Sequence, residues 1–236
     1  MFSYICGTLN RQSEGENLTR ERPHSTTQQG QQGEAYAASR PRWPAFTTLL
    51  VIGVVYAILR DDLRVVPAYL LLVLMGVLVM VSFYFHMRGH FRLSHLLGLV
   101  MVSLATVAVG TSVFLLVTLL PIEQPPLTVL SDAGLIWVAN VATFAVWYWL
   151  IDEGGPGIRS TDDHKGEDLQ FPQDQDGSSG WSPDFTDYLF LAFNQSTAFG
   201  PTDTSIISKR AKILSMIQAV FALIIIAVIV ARATAQ

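Results

Sequence analysis

Charge is what this chain has least of. Charged residues fill 14% of its 236 positions, against about a quarter in an ordinary soluble domain. Five runs (45 to 59, 65 to 85, 96 to 120, 133 to 151 and 213 to 231) contain no Asp, Glu, Lys or Arg, so no span carries the buried acid or base of a proton relay. None of the five histidines lies inside a run, which argues against a membrane haem or quinone protein. Cys6 is the single cysteine, so neither an internal disulfide nor a multi-cysteine metal site is available. The basic residues form no stripe interleaved with aromatics, and with a net charge of -4 the chain carries no nucleic-acid signal. The loops hold no recognisable set of nucleophile, base and orienting partner, so no enzyme and no cofactor is expected. Met1 to Gly7 lacks the basic lead of a signal peptide, and targeting is expected to come from the first span.

Apolar residues are plentiful, at half of the chain. A helix rises 1.5 Å per residue and needs roughly 20 apolar residues to cross a ~30 Å hydrocarbon core, so the five runs read as transmembrane helices. The first run has only 15 uncharged residues, but Trp43, Arg42 and Arg60 can extend it at the two interfaces. Arg60 to Arg64 alone separate the first two spans, which must form an antiparallel hairpin. Ser131 and Asp132 look like the cap and first-turn acid of the fourth span, and Trp147, Tyr148 and Trp149 form an aromatic belt at its other end. Residues 1 to 43, rich in Gln, Ser, Thr and Gly, read as a disordered cytoplasmic tail. Counted on alternate sides, 12 of the 15 Lys and Arg fall on the side of this tail, which places the N-terminus inside and the C-terminus outside.

The stretch before the last span has a different pattern. Ser182-Pro183-Asp184 signals a helix start, Phe185, Tyr188, Leu189, Ala192 and Phe193 recur at helical spacing, and Asn194 to Thr197 lead to Gly200-Pro201. About 15 helical residues reach only ~22 Å, too short to cross comfortably. A re-entrant half-helix over 183 to 204 is therefore expected, returning as an extended segment. Its carbonyl end would face the middle of the membrane and favour a cation there. The whole chain thus reads as an all-α, polytopic helical membrane protein with five transmembrane helices and one re-entrant half-helix. Four spans fill 44 to 151, an acidic cytoplasmic loop covers 152 to 182, and the final span lies within 205 to 236.

Thr197-Ala198-Phe199-Gly200-Pro201-Thr202-Asp203 resembles the potassium-channel filter pattern T-x-x-G-Y-G-D at Thr197, Gly200 and Asp203, and departs from it at Pro201 and Thr202. The blocks Trp147 to Pro156, Asp187 to Phe193 and Phe199 to Thr204 resemble a family of uncharacterised bacterial integral membrane proteins. That likeness implies a bacterial inner membrane. Two functions follow as expectations. One is an oligomeric pore-loop channel passing monovalent cations, with Thr197, Gly200, Thr202, Asp203, Thr204 and Gln218 along the path. The other is a non-transporting membrane scaffold whose half-helix is a structural plug. They differ in whether Gln218 and Ser215 face an axis shared between copies or pack within one chain. Asn140 and Gln218 are in either case good candidates for a hydrogen bond between helices. The eight acids between Asp152 and Ser182 read as a solvated loop, and the His86, His90 and His95 group, interleaved with Arg88 and Arg92, as interfacial charge rather than a metal site.

Overall fold

The computed structural model describes residues 43–118, 125–152, 168–175, 181–197 and 204–234. The chain is predominantly helical. In order come α1 (Trp43–Ile58), a 3-10 turn (Asp61–Leu63), α2 (Ala68–Met87), α3 (Phe91–Thr118), α4 (Pro126–Ile151), β1 (Leu169–Gln170), the short α5 (Pro172–Gln175), α6 (Phe185–Ser196), β2 (Ser205–Ile206) and α7 (Lys209–Thr234). Three of these helices are long and apolar enough to cross a membrane, over Arg92–Thr118, Leu127–Ile151 and Lys209–Thr234. The apolar parts of α1 and α2 are shorter, Thr47–Ile58 and Tyr69–Phe85.

α4 is the axis of the bundle. It packs against α1, α3, α6 and α7, and 67% of its apolar window is buried, against 28% for α7. Its lower half joins Leu49, Ile52, Met75 and Met101 around Val146 and Leu150. Its upper half joins Leu59, Leu63, Val113 and Ile225 around Val129 and Ile136. A third cluster packs Phe144 and Tyr148 against Leu169, Tyr188, Leu191 and Ala211. α3 meets α7 at Gly110, where a Cβ would stand 3.0 Å from Phe221 Cζ, so a larger residue would require the ring to shift by a few tenths of an ångström.

The helix boundaries follow local chemistry. α4 starts six residues before Asp132, at Pro126, whose missing N–H is no loss in a first turn. Asp132 is therefore inside the helix and not at its cap. It is tolerated there because the Arg60 guanidinium donates to its carboxylate at 2.7 Å from the α1–α2 connection. Ser112 on α3 donates to the Leu63 carbonyl at 2.9 Å and holds the same connection. The α2–α3 turn is fixed by Gly89, whose φ of 76° lies in the left-handed region, and by a bond from the His90 N–H to the Phe85 carbonyl at 3.0 Å. The buried Ser82 and Ser94 hydroxyls, 3.0 Å apart, lock the two helices just beyond it. α3 begins at Phe91, so His95 is helical while His90 remains in the turn.

Candidate functional site: the docking of α6

Asp184 of the Ser182-Pro183-Asp184 start signal caps α6. Its Oδ1 accepts the N–H groups of Thr186 and Asp187, and Asp187 Oδ2 accepts the Asp184 N–H at 2.6 Å, a reciprocal capping box. The 12 helical residues measure about 18 Å. Tyr188, Leu191, Ala192 and Ser196 form the buried face, while Leu189, Phe190 and Phe193 remain exposed.

Contacts along α4 give the direction of α6. Its start lies beside Trp149, with the Phe185 ring 6.3 Å away, and its end beside Trp137, with the Phe193 ring 5.6 Å away. α6 thus runs antiparallel to α4, from the last turn of α4 to its middle. Two pins hold the ends. At the start, the Tyr188 hydroxyl donates to Asp152 Oδ2 at 2.7 Å. At the far end, Trp137 Nε1 donates to the Ser196 carbonyl at 3.3 Å, and Asn140 Nδ2 to the Ser196 hydroxyl oxygen at 3.4 Å.

Gln218 of α7 ties these parts together. It is fully buried. Its amide oxygen accepts the Tyr148 hydroxyl at 2.7 Å, and its amide nitrogen donates to the Ala192 carbonyl at 2.7 Å and the Ser196 hydroxyl oxygen at 2.8 Å. One side chain therefore joins α4, α6 and α7. Gln195 donates to the Ser215 hydroxyl oxygen beside it. Asn140 Oδ1 and Thr143 Oγ1 are buried with no partner among the described residues, which leaves acceptor capacity on α4.

After Thr197 the chain returns to the level at which α6 began. Ser205 and Ile206 pair antiparallel with Gln170 and Leu169, and the Leu169 N–H donates to Asp152 Oδ1 at 3.2 Å. Asp152 therefore fixes both the outward and the returning segment. Its neighbour in the pair, Asp168, accepts Arg210 Nε at 2.6 Å and Nη2 in a two-pronged bond, and its carbonyl accepts the Ile207 N–H at 2.9 Å. Asp152 and Asp168 are 2% and 1% exposed, so these two acids are built into the bundle and are not part of a solvated loop.

Of the residues that the sequence singles out, Gln218 is at the centre of this network. Thr197 is at the end of α6 and bonds back to the Asn194 carbonyl at 3.0 Å. Thr204 stands immediately before β2, and the final helix begins at Lys209, after that strand. Gly200, Thr202 and Asp203 are outside the described residues, as are the tail and most of the 152 to 182 segment. Sequence reasoning missed Tyr148, Trp137, Ser196, Asp152 and Tyr188. The bonds from Tyr188 to Asp152, from Trp137 to Ser196 and from Tyr148 to Gln218 cross 36, 59 and 70 residues, and an aromatic belt residue carries no sign that its polar atom is needed inside. Among the described residues, no group of three His, Cys, Asp or Glu converges as a metal site. The site defines a helical bundle of membrane-crossing proportions with a short helix docked halfway along its central helix. Comparison with family models, curated proteins and solved structures gives no match.

Proposed function

We propose that the chain is a polytopic protein of the bacterial inner membrane and a non-transporting scaffold, in which α6 is a re-entrant half-helix serving as a structural plug. The observation that carries the plug reading is Gln218, buried within a single chain and bonded to Tyr148, Ala192 and Ser196. A pore would need Gln218 turned towards an axis shared between copies. Here its amide instead caps a carbonyl at the end of α6, and Trp137 caps another. The carbonyl charge that would attract a cation is met by donors from the same chain.

The membrane setting is supported by the outward faces. Val73, Val77 and Met80 on α2, Val107 and Phe114 on α3, and Ile213, Met216 and Val220 on α7 are all exposed, an apolar surface far beyond what a soluble monomer leaves open. With α1, α2, α3, α4 and α7 as five spans, the half-helix starts and returns on the cytoplasmic side. Backbone at membrane depth is stable only when its polar groups are satisfied or protein surrounds it, and α6 itself packs against α4 and α7.

Two experiments test this. A reporter fused after Gln236 is expected to be active only on the outer face, and cytoplasmic activity would mean that α6 crosses completely. Liposomes containing the purified chain should pass monovalent cations no faster than protein-free liposomes. Cation flux that falls on Asp203→Asn would replace the plug with the cation pore, built by several copies around one axis.

A further inference from the structure

We propose that Asn140 and Thr143 on α4 hold one buried water molecule, which extends the polar network of Gln218 towards the contact of α4 with α1 and α3. Both residues are fully buried. Asn140 Oδ1 and Thr143 Oγ1 have no hydrogen-bond partner among the described residues, a condition that folded proteins rarely leave unmet. The amide nitrogen of Asn140 is already committed to the Ser196 hydroxyl oxygen, which also accepts Gln218 Nε2. Turning the amide over exchanges its oxygen and nitrogen at Ser196 and still leaves one of the two unmet. Thr143 differs from the hydroxyl residues of α3. Ser103, Thr106, Thr111 and Thr118 each donate to the carbonyl one turn back, whereas the Thr143 hydroxyl makes no such bond.

The helix places the two unmet atoms near each other. Residues three apart on a helix have β-carbons about 5–6 Å apart, a span that one water closes with two bonds of about 2.8 Å. Side chains on a helix lean towards its N-terminus, so Asn140 and Thr143 lean over Ile136 and Ala139, one turn earlier on the same side of α4. There a cavity of about 10 Å³ lies between α1, α3 and α4, with Ile52, Val109, Ile136 and Ala139 in its wall. This is about the space that one water requires. Apolar walls alone would keep such a space dry, and the two unmet atoms beside it supply the anchors. Neither residue is charged, and α4 has no acid between Asp132 and Asp152, so a neutral ligand fits and a metal ion does not. A water both donates and accepts, and therefore serves the amide in either orientation. The site rests on the packing of α4 and is independent of the plug reading.

The test is Thr143→Val in the purified full-length chain, because valine keeps the shape of the side chain and removes only its hydroxyl. With water bound there, the unfolding equilibrium constant of the variant should rise about fivefold over that of the parent. Removal of a dry, unpaired hydroxyl has the opposite sign and should lower the constant. An unchanged or lowered constant therefore overturns the site. The second measurement is an experimental density map of the parent chain, sharp enough to show ordered water. One water should stand within about 3 Å of both Thr143 Oγ1 and the Asn140 amide, and it should be missing from the same map of Thr143→Val. A parent map with no water at that position, or with the Thr143 hydroxyl turned onto the Ala139 carbonyl, would overturn the site as well.

Discussion

Gln218→Leu is expected to lower the unfolding free energy of the purified chain in detergent by about 2–4 kcal/mol. The leucine fits the space but removes the Gln218 partner of the Tyr148 hydroxyl, the second donor to the helical Ala192 carbonyl and one partner of the Ser196 hydroxyl. Each buried group so stranded costs about 1–3 kcal/mol in a soluble core. Hydrogen bonds between membrane helices average nearer 0.6 kcal/mol, which pulls the total down. Ser196 also keeps Asn140. Tyr148→Phe alone removes one bond and should cost about 1 kcal/mol. In the Gln218→Leu background the same change should cost less, because it deletes a hydroxyl that has already lost the Gln218 amide. A Gln218→Leu chain as stable as the parent would show that the amide does not hold α6 in place.

The second large effect is at Asp152. Asp152→Ala removes the acceptor of both the Tyr188 hydroxyl and the Leu169 N–H, all in buried positions. A loss of about 2–5 kcal/mol is expected, confined first to the lower end of the bundle. Hydrogen exchange read on peptides covering 168–175 and 204–209 should accelerate in the variant, while the middle of α3 keeps its protection. Asp168→Ala should be milder, because the Arg210 side chain it leaves behind is 47% exposed and can turn to water. Unchanged exchange at Leu169 and Ile206 in Asp152→Ala would mean that the strand pair holds without the carboxylate.

These two residues also show where sequence reasoning stops. The charge-free runs anticipate the helices because desolvating a charge is so costly that hydropathy alone marks long apolar segments. The errors fall where that cost is offset. α3 extends back past Arg92, which can reach the interface, and α4 extends back past Asp132 because Arg60 neutralises it. The helical pattern around Tyr188 reveals a short helix but not its depth, since depth is set by Trp137, Asn140 and Gln218, far away in the chain. Gln218 stands out as a lone amide in an apolar helix, and that anomaly is readable. Asp152 and Asp168 are not, because they belong to a run of acids whose other members give no hint that these two have buried partners.

The central place of α4 also bears on how the molecule is made. Chain synthesis delivers α1, α2 and α3 first, yet their inward faces close on Val129, Ile136, Val146 and Leu150 of α4. Until that helix leaves the ribosome, the three early helices enclose a vacant seat, and Arg60 waits for Asp132. When α4 arrives it presents Asn140 and Tyr148 before α6 and α7 exist to receive them. The unfinished protein therefore passes through a stage in which these two polar side chains of its newest helix lack their partners, and the tempo of translation between Ile151 and Lys209 sets how long that exposure lasts.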